Sequence, residues 1–290
     1  MTGQFFRIPL GTWVDTFVGW LTDTFDGFFD GVGAALSSLF DVLALAFGAP
    51  PFWIVALVLA GLAFAAKGWK LAVGSLLGFA VIHGVDQWSA AMSTLALVLV
   101  ASAFAIVIGI PLGIWAARNA TVSAVLRPVL DFMQTMPAFV YLLPAVILFR
   151  VGVVPGIVAT IIFSMAPGVR FTELGVRQVD QEVVEAGHAF GATPRRILRQ
   201  VQLPLAMPTI MAGINQVIML ALSMVVISGM VGAPGLGQPV VQSLQSVNIG
   251  LGVEAGLAVV ILAMYLDRVT AALGDRSPVS RALKLRAADA

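Results

Sequence analysis

The chain has 290 residues, of which 59% are hydrophobic and 11% charged, and its formal net charge is +1. Soluble domains carry roughly 25% charged residues, so a water-soluble fold would expose large apolar patches, and the near-zero charge excludes a broad nucleic-acid footprint. No cysteine is present, which excludes disulfides and thiolate metal sites.

Residues 1–50 come first. At about 100° per residue, Asp15, Asp23, Asp26 and Asp30 share one arc, and Trp13, Phe17, Trp20, Leu21, Phe25 and Phe28 lie opposite. This pattern predicts an external amphipathic helix at a membrane interface, with Gly19 and Gly27 as weak points. Its polar face is acidic, so it serves either as a membrane-surface brace or as a contact for an external partner. A basic start and short apolar run are missing, so the segment is expected to be retained rather than cleaved.

Seven apolar segments follow, near 51–66, 68–83, 90–117, 130–149, 153–169, 209–231 and 250–267. A helix needs about 20 residues to cross a core of about 30 Å. Backbone polar groups in lipid must be satisfied internally, and these runs are continuously apolar rather than alternating, which selects helices over a barrel. The expected fold class is an all-α membrane protein with about seven transmembrane helices. The first two (51–89) meet at a tight turn, Lys67–Gly68–Trp69–Lys70. A core at 90–272 includes a hydrophilic loop at 170–208, and 273–290 form a tail.

The basic residues set the orientation. Lys67, Lys70, Arg118, Arg127, Arg170, Arg177, Arg195, Arg196, Arg199, Arg268, Arg276, Arg281, Lys284 and Arg286 fall on one side, fourteen of 16. Only Arg7 and Arg150 fall on the other. The positive-inside rule makes the first side cytoplasmic, with the N-terminus outside and the C-terminus inside.

The loop from Arg170 to Met207 reads as helix, break, helix. Asp180 can cap 181–190, Gly191 permits a left-handed stop, and Thr193–Pro194 restart a helix as N-cap and first turn. Arg195, Arg196 and Arg199 follow, and Glu185 can pair with Arg195, Arg196 or a residue of a partner. Within this loop Glu185–Ala186–Gly187, then Gly191, Ala192 and Pro194, then Val201–Gln202–Leu203–Pro204 resemble the signature of binding-protein-dependent ABC importer permeases. That signature is Glu-Ala-Ala, three residues, Gly, nine residues, Ile, one residue, Leu-Pro. Gly187 and Val201 depart from it conservatively.

The resemblance narrows over 95–120, 130–149 and 202–230 to permeases of proline/glycine betaine import systems, and covers roughly residues 85–275. It implies import of a small quaternary-ammonium or zwitterionic osmolyte across the cytoplasmic membrane. The loop would then be the coupling element that docks on an ATPase through Glu185, Ala186, Gly187, Gly191, Ala192, Pro194, Leu203 and Pro204. The implied partners are a second permease copy, two cytoplasmic ATPase subunits and a periplasmic or tethered binding protein. No phosphate-cradling Gly-x-x-x-x-Gly-Lys-Ser/Thr motif occurs, so the chain is not expected to be an enzyme or to bind a cofactor. ATP and Mg belong on the partner.

Candidate pathway or gate residues are Gln134, Phe139, Tyr141, Asn215, Gln216, Gly235 and Gly237. Gly235 and Gly237 form either an external gate or a plain turn. Gln134, Thr135, Asn215, Gln216 and Ser223 either line the pathway or tie helices together. Trp88, Phe139, Tyr141 and Tyr265 are available for a cationic head, but interfacial belts explain Trp88 and Tyr265 equally well. His83 and His188 are isolated, and Glu254 and Arg150 can snorkel to water at span ends. Asp131 opens the fourth span, where the helix dipole favours an acid. The competing classes are a membrane-embedded enzyme, for which the spans show no paired carboxylates, Ser/His or metal constellation, and, first, an ion-coupled secondary transporter. It would need intramembrane ionisable groups, and the span interiors offer almost none.

Overall fold

The computed structural model describes residues 9–275. Arg7, Arg276, Arg281, Lys284, Arg286 and the tail beyond 275 lie outside the described residues.

Helix α1 (Leu10–Gly48) is interrupted at Phe25, where φ is −119° and ψ 24°. The break thus falls between Gly19 and Gly27, and the two halves behave differently. Trp13, Phe17, Trp20 and Phe28 remain exposed, whereas Leu36 and Phe40 are buried. Leu36 and Phe40 pack against Ala96, Leu97, Val100, Ala101 and Ile157. Phe29 meets Phe149 edge-on at 5.6 Å.

Helices α2 (Phe52–Lys67) and α3 (Trp69–Gly84) are joined by Gly68 alone, at φ +89°. They form a hairpin, because Phe52 at the start of α2 stacks on His83 at the end of α3, with ring centroids 3.8 Å apart. At 16 residues each they are about 24 Å long, short of a full hydrocarbon core.

The centre is built from α4 (Trp88–Arg118), α7 (Val153–Arg177) and α10 (Leu203–Ser223). Ala96 and Leu97 meet Ile157, and Gly113 meets Val169 and Thr172, so α4 and α7 run parallel. A Cβ on Gly113 would lie 2.6 Å from that of Thr172, and one on Gly213 of α10 would lie 2.6 Å from that of Phe171. Such small residues let helices approach where burying apolar surface gains nothing against lipid. Gly175 faces Ala206 and Gly168 faces Val217, so α10 runs antiparallel to α7. After α12 (Gly237–Ser246), helix α13 (Ile249–Asp275) turns back again, with Gly274 against Met211.

The segment expected as one span over 130–149 is two helices. Helices α5 (Ala120–Thr135) and α6 (Ala138–Phe149) meet at 97°. Pro137 disfavours helical backbone at the residue before it, and Met136 is extended at φ −67°, ψ 135°. The sixth expected span continues through Met224, whose backbone stays helical, from α10 into the short α11 (Val225–Gly229). Among the described residues five helical stretches are long and apolar enough to cross a membrane, or six if α5 and α6 count as one, against the seven expected: α1, expected at the interface, is one of the five, whereas α2 and α3 are too short to be counted.

These directions put Lys67, Arg118, Arg177, Arg195, Arg196 and Arg268 at one end of the bundle. Trp88, Arg150 and the 230–237 loop lie at the other.

Candidate functional site

At the basic end, α8 (Gln181–Ala189) and α9 (Pro194–Ile197) project from the bundle. The Asp180 carboxylate caps α8 by accepting from the Glu182 N–H at 2.9 Å. The helix stops with two bonds that close its last turn, Gly191 N–H to His188 O at 2.9 Å and Ala192 N–H to Gly187 O at 3.1 Å. This 5→2 and 6→1 pair needs a left-handed residue, and Gly191 has φ +74°. Pro194 opens α9 as expected, but the Thr193 hydroxyl makes no capping bond.

A Cβ on Gly187 would sit 3.2 Å from Ile197 Cγ1. The smaller residue at this place therefore lets α8 and α9 close on each other. Glu185 and Ala186 are exposed, as are Gly191 and Pro194. Glu185 forms no ion pair among the described residues; Arg196 instead bonds Gln200 at 2.9 Å, one turn along its own helix. Val179 and Leu198 tie this knuckle to Val176, Ala206 and Ile210. Leu203 and Pro204 then begin α10.

Two features here were not anticipated. Phe190 is 92% exposed at the tip of the knuckle. The only sequence signal for it was an aromatic at the last position of an otherwise polar helix. The second is Glu173, whose side chain is 9% exposed. It accepts from Ser123 Oγ at 2.7 Å and pairs with Arg177 Nε at 3.1 Å and Arg127 Nη2 at 3.4 Å. Arg177 also donates to Ala116 O at 2.8 Å. The four-residue step from Glu173 to Arg177 was a readable helical pair; Ser123 and Arg127 were not.

Asp131 does not open a helix. It is the twelfth residue of α5 and pairs with Arg170 of α7.

At the opposite end, residues 229–237 form a turn packed by backbone. Leu236 is fully buried, and its N–H donates to the buried Thr94 hydroxyl at 2.8 Å. A Cβ on Gly235, at φ +135°, would lie 2.6 Å from Thr94 Oγ1. One on Gly237 would run into the Val225 carbonyl oxygen, and one on Gly229 into the Gly237 backbone.

The remaining candidates disperse. Gln134 and Phe139 are exposed on either side of the α5–α6 bend, whereas Tyr141 is buried and donates to Met133 O. Asn215 donates to Asp267 Oδ1 at 2.9 Å and accepts from Thr270, so it ties α10 to α13. Gln216 and Ser223 are exposed. Tyr265 is no interfacial anchor; it is buried, donates to Leu59 O at 2.9 Å and packs edge-on against Phe79. Trp88 stands edge-on to Phe79 and Phe52. These rings fill one another's gaps and leave no cage.

Residues 109–276 match the family model described as binding-protein-dependent transport system inner membrane component. The chain is 50% identical over 264 residues to the glycine betaine transport system permease protein OpuAB of Bacillus subtilis, covering 91% of this chain and 94% of that one. It is 48% identical to the glycine betaine/proline betaine transport system permease protein ProW of Escherichia coli, covering 93% of this chain and 76% of that protein. Among solved structures, an inward-facing form of the MetNI methionine ABC transporter superposes with a TM-score of 0.59 at 25% identity. That match covers 67% of this chain and 94% of the other.

Proposed function

The chain belongs to the binding-protein-dependent transport system inner membrane component family and is a multi-pass ABC importer permease, and from that premise we propose that its cargo is glycine betaine or a close quaternary-ammonium or zwitterionic osmolyte. The observation that carries the cargo is the shared substrate class in the names of relatives that match nine-tenths of the chain. The secondary-transporter alternative finds little support. The ion pairs near the basic end join helices to each other, and Asp267 is bonded to Asn215.

On this reading the basic end faces the cytoplasm, and the α8–α9 knuckle docks on a separate ATPase that holds ATP and Mg. Two permease copies, two ATPases and an external binding protein complete the importer. In this reading α1 acts as a brace, its second half packed along α4 through Leu36 and Phe40. Gly235, Leu236 and Gly237 form a close-packed external gate, and the exposed Gln134 and Phe139 face the pathway. With no aromatic cage in the chain's described residues, substrate selection falls mainly to the binding protein.

The test is uptake of labelled glycine betaine, with choline, carnitine and proline as competitors, by proteoliposomes holding the complete system. ATP-dependent betaine uptake that disappears without this chain is the expected outcome. Uptake that follows an ion gradient without ATP would instead establish the secondary-transporter class.

A further inference from the structure

Helix α5 is held by one small apolar cluster and by polar bonds. Ser123 and Leu130 are its buried residues, while Val125, Val129 and Phe132 stand exposed. Half-buried Leu126 and Met133 join Leu130 against Ala166 and Val169, and the side-chain polar bonds of α5 to other helices lead to the cytoplasmic half of α7. Ser123 and Arg127 converge on Glu173, and Asp131 pairs with Arg170. Glu173 in turn holds Arg177, the last residue of α7. Only Gln178, Val179 and Asp180 separate Arg177 from α8, and this link is stiff. Gln178 N–H bonds Leu174 O at 2.9 Å, Val179 is buried, and the Asp180 side chain caps α8. Arg177 also holds the last turn of α4 through Ala116 O.

We propose that Glu173 is a positioning residue that carries displacement of the α8–α9 knuckle into α5, and through the bend at Met136–Pro137 into α6. A carboxylate with several charged and hydroxyl donors has strong, directional bonds where water is scarce. It therefore moves its partners with it. The apolar cluster of Leu126, Leu130 and Met133 is non-directional, whereas the polar bonds fix α5 to one stretch of α7, and a helix so attached can shift as a unit when its anchor moves. The proposal rests on the coupling reading of the knuckle and adds the route by which that motion reaches the pathway helices.

The experiment uses the complete importer in proteoliposomes. This cysteine-free chain receives one reporter, Val129→Cys on the exposed side of α5. Its labelling rate is measured with and without a non-hydrolysable nucleotide, beside uptake per ATP hydrolysed. In the reporter background, nucleotide should change the labelling rate by at least about fivefold, the lower end of ordinary inter-site coupling. Adding Glu173→Gln should abolish that change and lower uptake per ATP by about tenfold, with the ATPase retained and hydrolysis continuing. Glu173→Asp, which keeps the charge, should restore part of both.

A merely structural role would reduce the amount of complex without altering uptake per ATP. If Glu173→Gln does not assemble, Arg127→Gln on the solvent side of the same pair carries the test. Persistence of the nucleotide-dependent change and normal uptake per ATP in the variant would overturn the relay. Should Gly191→Asp, inside the knuckle, leave both readouts intact, the coupling reading fails first and the relay falls with it.

Discussion

In the α8–α9 knuckle no side chain of α8 is buried and Phe190 stands almost wholly in water. In the 229–237 turn Ala233, Gly235, Leu236 and Gly237 are all buried. Both segments depend on glycines, but for different reasons. Gly191 needs a backbone angle and has nothing within 4 Å of where a Cβ would be. Gly229 and Gly237 need the space itself, because each lies against the other's stretch of backbone. The knuckle keeps its shape chiefly through caps and stops, and leaves the side chains of α8 unburied. A closure internal to the chain keeps its shape through contact, and uses side chains hardly at all.

Substitutions that separate angle from space test this contrast. The largest effect should come from Gly237→Ala. The Val225 carbonyl oxygen cannot give way as a flexible side chain would, so the cost is about 3 kcal/mol or more, seen as a loss of assembled protein in a thermal-stability assay. Thr94→Val should come next. It strands the buried Leu236 N–H, at about 1–3 kcal/mol, and lowers the melting temperature while the α8–α9 knuckle still binds its ATPase. Gly191→Ala should cost only about 1 kcal/mol, from the left-handed backbone alone, and the protein should remain folded. Asp180→Ala removes one cap and should also cost about 1 kcal/mol, felt as weaker ATPase retention at elevated temperature. If Gly191→Ala proved as damaging to folding as Gly237→Ala, the distinction between angle and space would not hold.

What could be read from the sequence divides along the same line. Asp180, Gly191 and Pro194 follow local backbone rules, so the knuckle's start, stop and restart were legible with no knowledge of the fold. The apolar segments and the one-sided distribution of basic residues were legible for a similar reason, since the bilayer imposes them residue by residue. The break at Met136–Pro137 was hidden by apolarity that continues through it, although the proline itself marked the place. The kink at Phe25 carried only the weak signal of two nearby glycines.

Glu173 lay out of reach because Ser123 and Arg127 are 50 and 46 residues away. The same holds for Thr94, 142 residues from Leu236, and for Asn215, whose partners lie on α13. Polar groups within a bundle find whichever partners the packing brings. That packing is set by where small residues such as Gly113 and Gly213 allow helices to touch, and spacing along one helix does not reveal it.

The proposed transmission of the ATPase's work through the knuckle is tested most directly by measuring uptake and substrate-stimulated hydrolysis together. The measurement uses proteoliposomes carrying Gly191→Asp or Glu185→Lys. Both residues are exposed and outside the apolar bundle, so both variants should insert and fold. Each should lower uptake and stimulated hydrolysis in step, with Gly191→Asp also weakening retention of the ATPase. Normal uptake in both variants at normal subunit stoichiometry would contradict the account.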